Sequence, residues 1–258
     1  MSAAVLPAPV SAPAANRRPG LGRLTAVELR KITDTRSGLW LLVTTVALTI
    51  ALLVIAGLTI HERDRTLREF VGVASAPLSL LGPVVGILLV TSEWSQRTSL
   101  ITFTLVPHRS RVLVAKLLAG TAVAAVGFQL CLAAALLATA AFGASGDGTW
   151  SLSAALIGQS ALGVVIPMIA GIGFGAVLLA SAPAIILYFV LPTAWTALGH
   201  VHAVEGAAKW LDQNRTTSPL LEHALGGTEW ARLAVSAVLW TALPVLLGFW
   251  RVNRNDVR

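Results

Sequence analysis

A chain of 258 residues that is 55% hydrophobic and only 12% charged departs from the soluble balance of about 45–50% apolar and about 25% charged residues. Its apolar residues fall in blocks of roughly 16 to 30, the length of membrane spans, which excludes a single water-soluble core. The net charge of +7 does not point to nucleic acid, because the basic residues flank apolar blocks and do not gather on a soluble face; anionic lipid headgroups are their expected partner.

Residues 1–20 form an Ala/Pro-rich tail, expected to be disordered, with no apolar run that could serve as a signal-peptide core. The pair Arg17-Arg18 precedes a polar stretch, so a twin-arginine signal is not expected either. The first span is then the insertion signal. In residues 21–37, Leu21, Leu24, Leu29 and Ile32 share a helical face that Thr25 and Glu28 interrupt, a pattern that supports a partial surface anchor.

Six spans follow within residues 38–250. Gly38 to Ile60 is free of charge and long enough to cross about 30 Å of hydrocarbon. Val71 to Val90 carries Gly82 and Gly86 at a spacing that lets helices approach closely. The third span begins near Lys116, which is expected to snorkel to the interface, and continues to Phe142. It contains the only cysteine, Cys131, whose expected role is packing. Leu152 to Ala180 holds Pro167 as a kink and Gly171, Gly173 and Gly175 as a packing face. Ser181-Ala182-Pro183 reads as a tight turn into Ala184 to Gly199, which at about 24 Å is either extended past His200 or partly re-entrant. After a connection in which 203–211 is a possible short helix, Leu233 to Trp250 forms the sixth span, and 251–258 is a basic tail.

Lysine and arginine asymmetry sets direction. With both termini in the cytoplasm, 13 of the 19 basic residues lie on that side. The bias supports an N-in, C-in arrangement. Trp40, Trp94, Trp150, Trp230 and Trp250 fall at the expected interfaces.

Catalytic apparatus is hard to find. From Leu117 to Gly199 the only charged residue is Asp147, in a short external loop, which disfavours a proton-coupled carrier or cation channel. Gln129 and Gln159 read as interhelical hydrogen-bond partners. His200-x-His202 lacks a nearby cysteine or acidic cluster to complete a metal site. Neither hydrolase motifs nor a phosphate-binding loop occurs, so the chain is not expected to be an enzyme, and any nucleotide-driven work requires another chain.

The connection from Thr91 to Lys116 is the most informative segment. Leu100, Ile101, Phe103, Leu105 and Val106 mix with Ser and Thr between Glu93 and Arg97 on one side and Pro107-His108-Arg109-Ser110-Arg111 on the other. It reads either as a short amphipathic helix at the membrane surface or as an ordinary basic loop, and composition does not separate the two. In order along the chain, Glu93, Thr98, Pro107, Arg109, Arg111 and Lys116, preceded by Glu28-Leu29-Arg30-Lys31 and followed by the ending from Trp250 to Arg258, resemble the type-2 class of ATP-binding-cassette exporter permeases. Arg97 stands where that family usually has glycine. The resemblance covers Leu24 to Arg258.

What the resemblance implies is an all-α integral membrane protein with an amphipathic entry helix containing Glu28 and Lys31. It also implies a cytoplasmic coupling helix between spans two and three, docking an ATPase through Glu93, Arg97, Thr98, Phe103, Leu105, Pro107, Arg109, Arg111 and Lys116. The expected partners are a separately encoded ATPase, which binds ATP and Mg, and a second permease copy or a similar permease. No cofactor is expected in this chain. The expected location is the plasma membrane of a bacterium, and the expected cargo is a drug, lipid or peptide of hydrophobic or amphipathic character. A scaffold or sensor component that keeps the fold and transports nothing is the alternative.

Overall fold

The computed structural model describes residues 20–95, 109–143, 148–199, 201 and 205–254. Every regular element among them is helical. Six helices are long and apolar enough to cross a membrane, and the chain is a multi-pass membrane protein by that measure. Most of the Ala/Pro-rich tail, the connection 96–108, Asp147 and the pair His200 and His202 lie outside the described residues.

The entry helix α1 (Leu21–Asp34) ends at Thr35, whose extended backbone breaks it from α2 (Arg36–Thr59). Thr35 caps α2, its hydroxyl accepting from the Gly38 N–H at 3.3 Å. Thr45, Thr49, Leu53 and Ala56 form the buried stripe of α2, while Val43, Val46, Ile50 and Val54 are exposed. That exposed face suits hydrocarbon rather than water.

The centre of the bundle is the pair α3 (Leu67–Ser95) and α5 (Ala154–Leu178). Their backbones touch because glycines remove the side chains between them. A Cβ on Gly171 would lie 2.3 Å from the Pro83 carbonyl oxygen, and one on Gly86 would lie 2.6 Å from that of Met168. Gly175 faces Ile87 on the same stripe, whereas Gly173 turns to the last span, where its Cβ would lie 2.8 Å from the Val245 nitrogen. The three glycines of α5 therefore serve two neighbours and not one packing face.

Pro167 removes an amide donor from the middle of α5 and frees the carbonyl of Gly163. Ser79 of α3 donates to that oxygen at 3.3 Å, the kind of substitution that lets proline persist in a spanning helix. The helix α4 (Arg109–Phe142) packs along α3 and begins seven residues before Lys116. Lys116 thus sits inside a helix and not at its end.

The turn before the fifth span differs from expectation. It lies at Leu179, in the left-handed region, and the extended Ala180, so that Ser181, Ala182 and Pro183 already belong to α6 (Ser181–Leu198). Proline is tolerated there because the first-turn amides have no intrahelical acceptor. The 18 residues of α6 run without interruption over about 27 Å. Ser181 also faces Thr91 of α3 at 2.7 Å between hydroxyl oxygens.

Three short helices, α7 (Glu205–Leu211), α8 (Gln213–Thr217) and α9 (Pro219–Glu222), fold over the end of the bundle where α3 and α5 begin. Asp212 is fully buried and caps α8: its Oδ1 accepts from the amides of Asn214 and Arg215 at 2.9 and 3.3 Å and from the Thr196 hydroxyl at 3.0 Å. Gln159 of α5 donates to the His223 carbonyl at 2.9 Å and accepts from the Leu225 amide at 3.2 Å. Trp210 is partly exposed beside Arg232, whose guanidinium lies 5.8 Å from the ring centroid.

The last span starts six residues earlier than expected. It runs as α10 (Gly227–Ala237), a π-helical turn over Val238–Ala242, and α11 (Leu243–Arg254). The Leu243 amide reaches back to the Val238 carbonyl, and the Trp240 indole donates to the Leu211 carbonyl at 2.7 Å.

The α3–α5 contact gives a direct test. Gly171→Val should destabilise the protein by about 3 kcal/mol, the upper end for overpacking a tight core, since backbone cannot yield as a side chain can. Gly158→Ala, where nothing lies within 4 Å, should hold or raise stability by up to about 1 kcal/mol. Thermal melting of the purified protein in detergent reads both.

Candidate functional site: a buried charge quartet

Four of the charged residues that carry the family resemblance meet at one end of the bundle. Glu28 and Lys31 come from α1, Glu93 from the last turns of α3, and Lys116 from α4. Glu28, Glu93 and Lys116 are 4%, 5% and 3% exposed. Burial of this kind is tolerated only when charges are paired and their hydrogen-bonding capacity is filled.

The geometry meets that demand. Lys116 Nζ lies 2.7 Å from Glu28 Oε2, 2.7 Å from the Leu89 carbonyl oxygen and 3.1 Å from Glu93 Oε1. An ammonium has three protons to give, and here each has an acceptor. Lys31 donates to Glu28 Oε1 at 2.7 Å and also to Glu93 Oε1. Among the described residues, the two carboxylates and two ammoniums of the cluster balance. Burial alone would pull the Lys31 pKa down, but the charges and hydrogen bonds of Glu93 and Glu28 outweigh it and hold the value above the ordinary 10.5.

Two expectations change. Lys116 does not snorkel to an interface; its charge is neutralised within the bundle because α1 brings Glu28 against it. Glu28 likewise does not interrupt the packing face of α1. Together with Ile32 it is the buried face, which an apolar-only stripe does not reveal.

Glu93 and Lys116 are thus turned into the bundle, not out to a docking partner. Arg109 opens α4 and Arg111 lies in its first turn, half-buried. Arg97, Thr98, Phe103, Leu105 and Pro107 lie outside the described residues. Sequence reasoning missed the Leu89 carbonyl, which no side-chain pattern signals. It also missed Asp212, for which the signal existed: an acidic residue immediately before a short polar helix is an N-cap pattern.

Chemically, the quartet is a clamp. It holds α1 to the two helix ends that bracket residues 96–108, so a displacement of either end must either carry the others along or separate buried charges.

Lys116→Met should cost about 3–5 kcal/mol, since it strands two buried carboxylates on one remaining ammonium. Combining it with Glu28→Gln, which removes an opposite charge, should recover part of that loss. Because the Lys31 value is raised on folding, its stabilisation is complete below about 10.5 and is lost as pH rises through the still higher folded value. The protection factor of the α1 amides, their exchange rate relative to the base-catalysed intrinsic rate at each pH, should therefore hold from neutral pH up to that point and fall only above it.

No protein-family model matches this chain, and no curated protein matches it.

Proposed function

We propose that the chain is the membrane-spanning permease subunit of an ATP-driven exporter of the ATP-binding-cassette type, with ATP hydrolysis supplied by a separate subunit. The observation that carries this reading is the quartet, because it ties the entry helix to the two spans that flank the amphipathic segment 96–108. A partner that binds and moves that segment would act on α1, α3 and α4 together. Such a permease supplies two conformations of different substrate affinity, and the partner's ATP cycle biases them.

The basic asymmetry supports a cytoplasmic position for both termini and for the quartet. The short helices α7, α8 and α9, at the opposite end of the bundle, are then external. Two single cysteines introduced into Cys131→Ser, at Ser99 and at Gly148, report on this arrangement. An impermeant thiol reagent applied to intact cells should label only position 148, and equal labelling of position 99 rejects it.

Association with the ATPase is the functional test. Charge reversal at Arg109 and Arg111, or Phe103→Ala, should weaken co-purification of the ATPase at least tenfold, the scale of an interface anchor worth about 2 kcal/mol, with membrane insertion intact. Reversal at Arg251 and Arg254 changes the same charge outside the segment and should have little effect. If it uncouples equally, general electrostatics replaces specific docking; if the unmodified chain binds no ATPase, the scaffold or sensor reading takes its place.

A further inference from the structure

On the side of the bundle away from the quartet, α3, α5, α6 and α8 line an open cavity of about 400 Å³. That falls within the range of small-molecule sites and leaves room for roughly a dozen water-sized groups. Among the described residues, none that lines it is charged. One wall is apolar, formed by Leu80, Pro167, Phe189 and Pro192. The other carries the hydroxyls of Ser79, Thr193, Thr217 and Ser218, together with Tyr188 and the side-chain amides of Gln213 and Asn214.

How those hydroxyls are already used decides what the wall can recognise. Each has a single proton, and each gives it to a backbone carbonyl: Ser79 to Gly163 at 3.3 Å, Thr193 to Phe189 at 2.7 Å, Thr217 to Gln213 at 2.8 Å and Ser218 to Asn214 at 2.7 Å. With the donors spent, the four oxygens present lone pairs. The Gly163 carbonyl, released by Pro167, adds acceptor capacity on the same wall. An anion placed there would face these lone pairs with no cation to offset them; the donors at hand are neutral, and Asn214 already spends one amide proton on the Thr196 hydroxyl. A group that donates hydrogen bonds would find several acceptors and an apolar surface opposite.

Nor is the roof a loose loop. The α8 segment, which begins at Gln213 and supplies Thr217, is fixed by the buried Asp212 cap and by the bond from Asn214 Nδ2 to the Thr196 hydroxyl at 3.1 Å. The cavity is therefore preformed, and a ligand gains its contacts without ordering the wall.

We infer that this cavity binds a small amphiphile whose head group donates hydrogen bonds and carries no negative charge, an alcohol or an ammonium, with its apolar body against Leu80, Pro167 and Phe189. The site belongs to one chain and needs no ATPase, so it stands apart from the exporter reading.

The test uses the full chain in lipid nanodiscs and three photoreactive decyl probes of equal length, ending in a hydroxyl, an ammonium or a carboxylate. Cross-linked peptides are mapped by mass spectrometry. The hydroxyl probe, the ammonium probe or both should label α6 and α8 peptides around Thr193 and Thr217, at least tenfold more than the carboxylate probe does. Excess unlabelled decanol or decylamine should compete. Filling the space with Thr193→Leu should abolish that labelling while melting temperature holds. Thr193→Val and Thr217→Val, which remove acceptors at nearly constant volume, should reduce it several-fold and serve if the larger substitution does not fold. Equal labelling by all three probes, or labelling indifferent to these variants, reduces the signal to lipid partition and overturns the inference. Loss of ATPase association in the separate experiment would leave it intact.

Discussion

Lys116 carries its charge seven residues inside a helix whose neighbours are valine, leucine and alanine, and at 3% exposure it has no solvent with which to satisfy it. Three acceptors must therefore be brought to one nitrogen, and they come from two other helices. Glu28 fixes the rotation of α1 about its axis, Glu93 and the Leu89 carbonyl fix the end of α3, and Lys31 closes the set. Remove the ammonium and the positions of α1, α3 and α4 lose their common reference. The entry helix depends on it most. Thr35 breaks α1 from α2, and the apolar stripe of α1 is too short to hold it alone.

The same accounting runs through the interior. At several points a neighbouring helix or turn supplies the partner that a buried polar group needs: Ser79 serves the carbonyl freed by Pro167, Thr49 donates to the Ala74 carbonyl at 3.3 Å, and Gln159 spends both ends of its amide on the turn after α9. Thr45, Thr91 and Thr139 bond back to carbonyls of their own helices. A membrane bundle built this way has few polar groups to spare, which makes a cavity wall of four hydroxyl oxygens a chemically selective surface.

Much of the architecture could be read from residue order, because hydrocarbon imposes a length and forbids charge, and both constraints are local. Gly38 to Ile60 and Leu152 to Ala180 coincide with α2 and α5 to within two residues at each end. The misses share a cause. Glu28 and Lys116 look like surface residues until it is known that they face each other across 88 positions of sequence, a fact that no local pattern contains. The start of α6 at Ser181 turns on whether Pro183 closes a turn or opens a helix, which the left-handed Leu179 decides. The glycines of α5 were legible as a packing face, but only the fold divides them between α3 and α11. Of the candidate site, Glu28, Lys31, Glu93 and Lys116 were identifiable one by one through family resemblance, and their convergence was not.

The π-helical turn at Val238–Ala242 gives the last span two phases. One turn there accommodates an additional residue, and in an α-helix each residue advances the side chains by about 100°. The half that carries Trp240 is thereby set to meet Leu211 in the cap of short helices, while the half that carries Gly248 is set to meet Ala176 in the bundle core. The span therefore works as a coupling with a built-in angular offset. Evolution can retune the angle between cap and core by one insertion or deletion, without altering either contact surface.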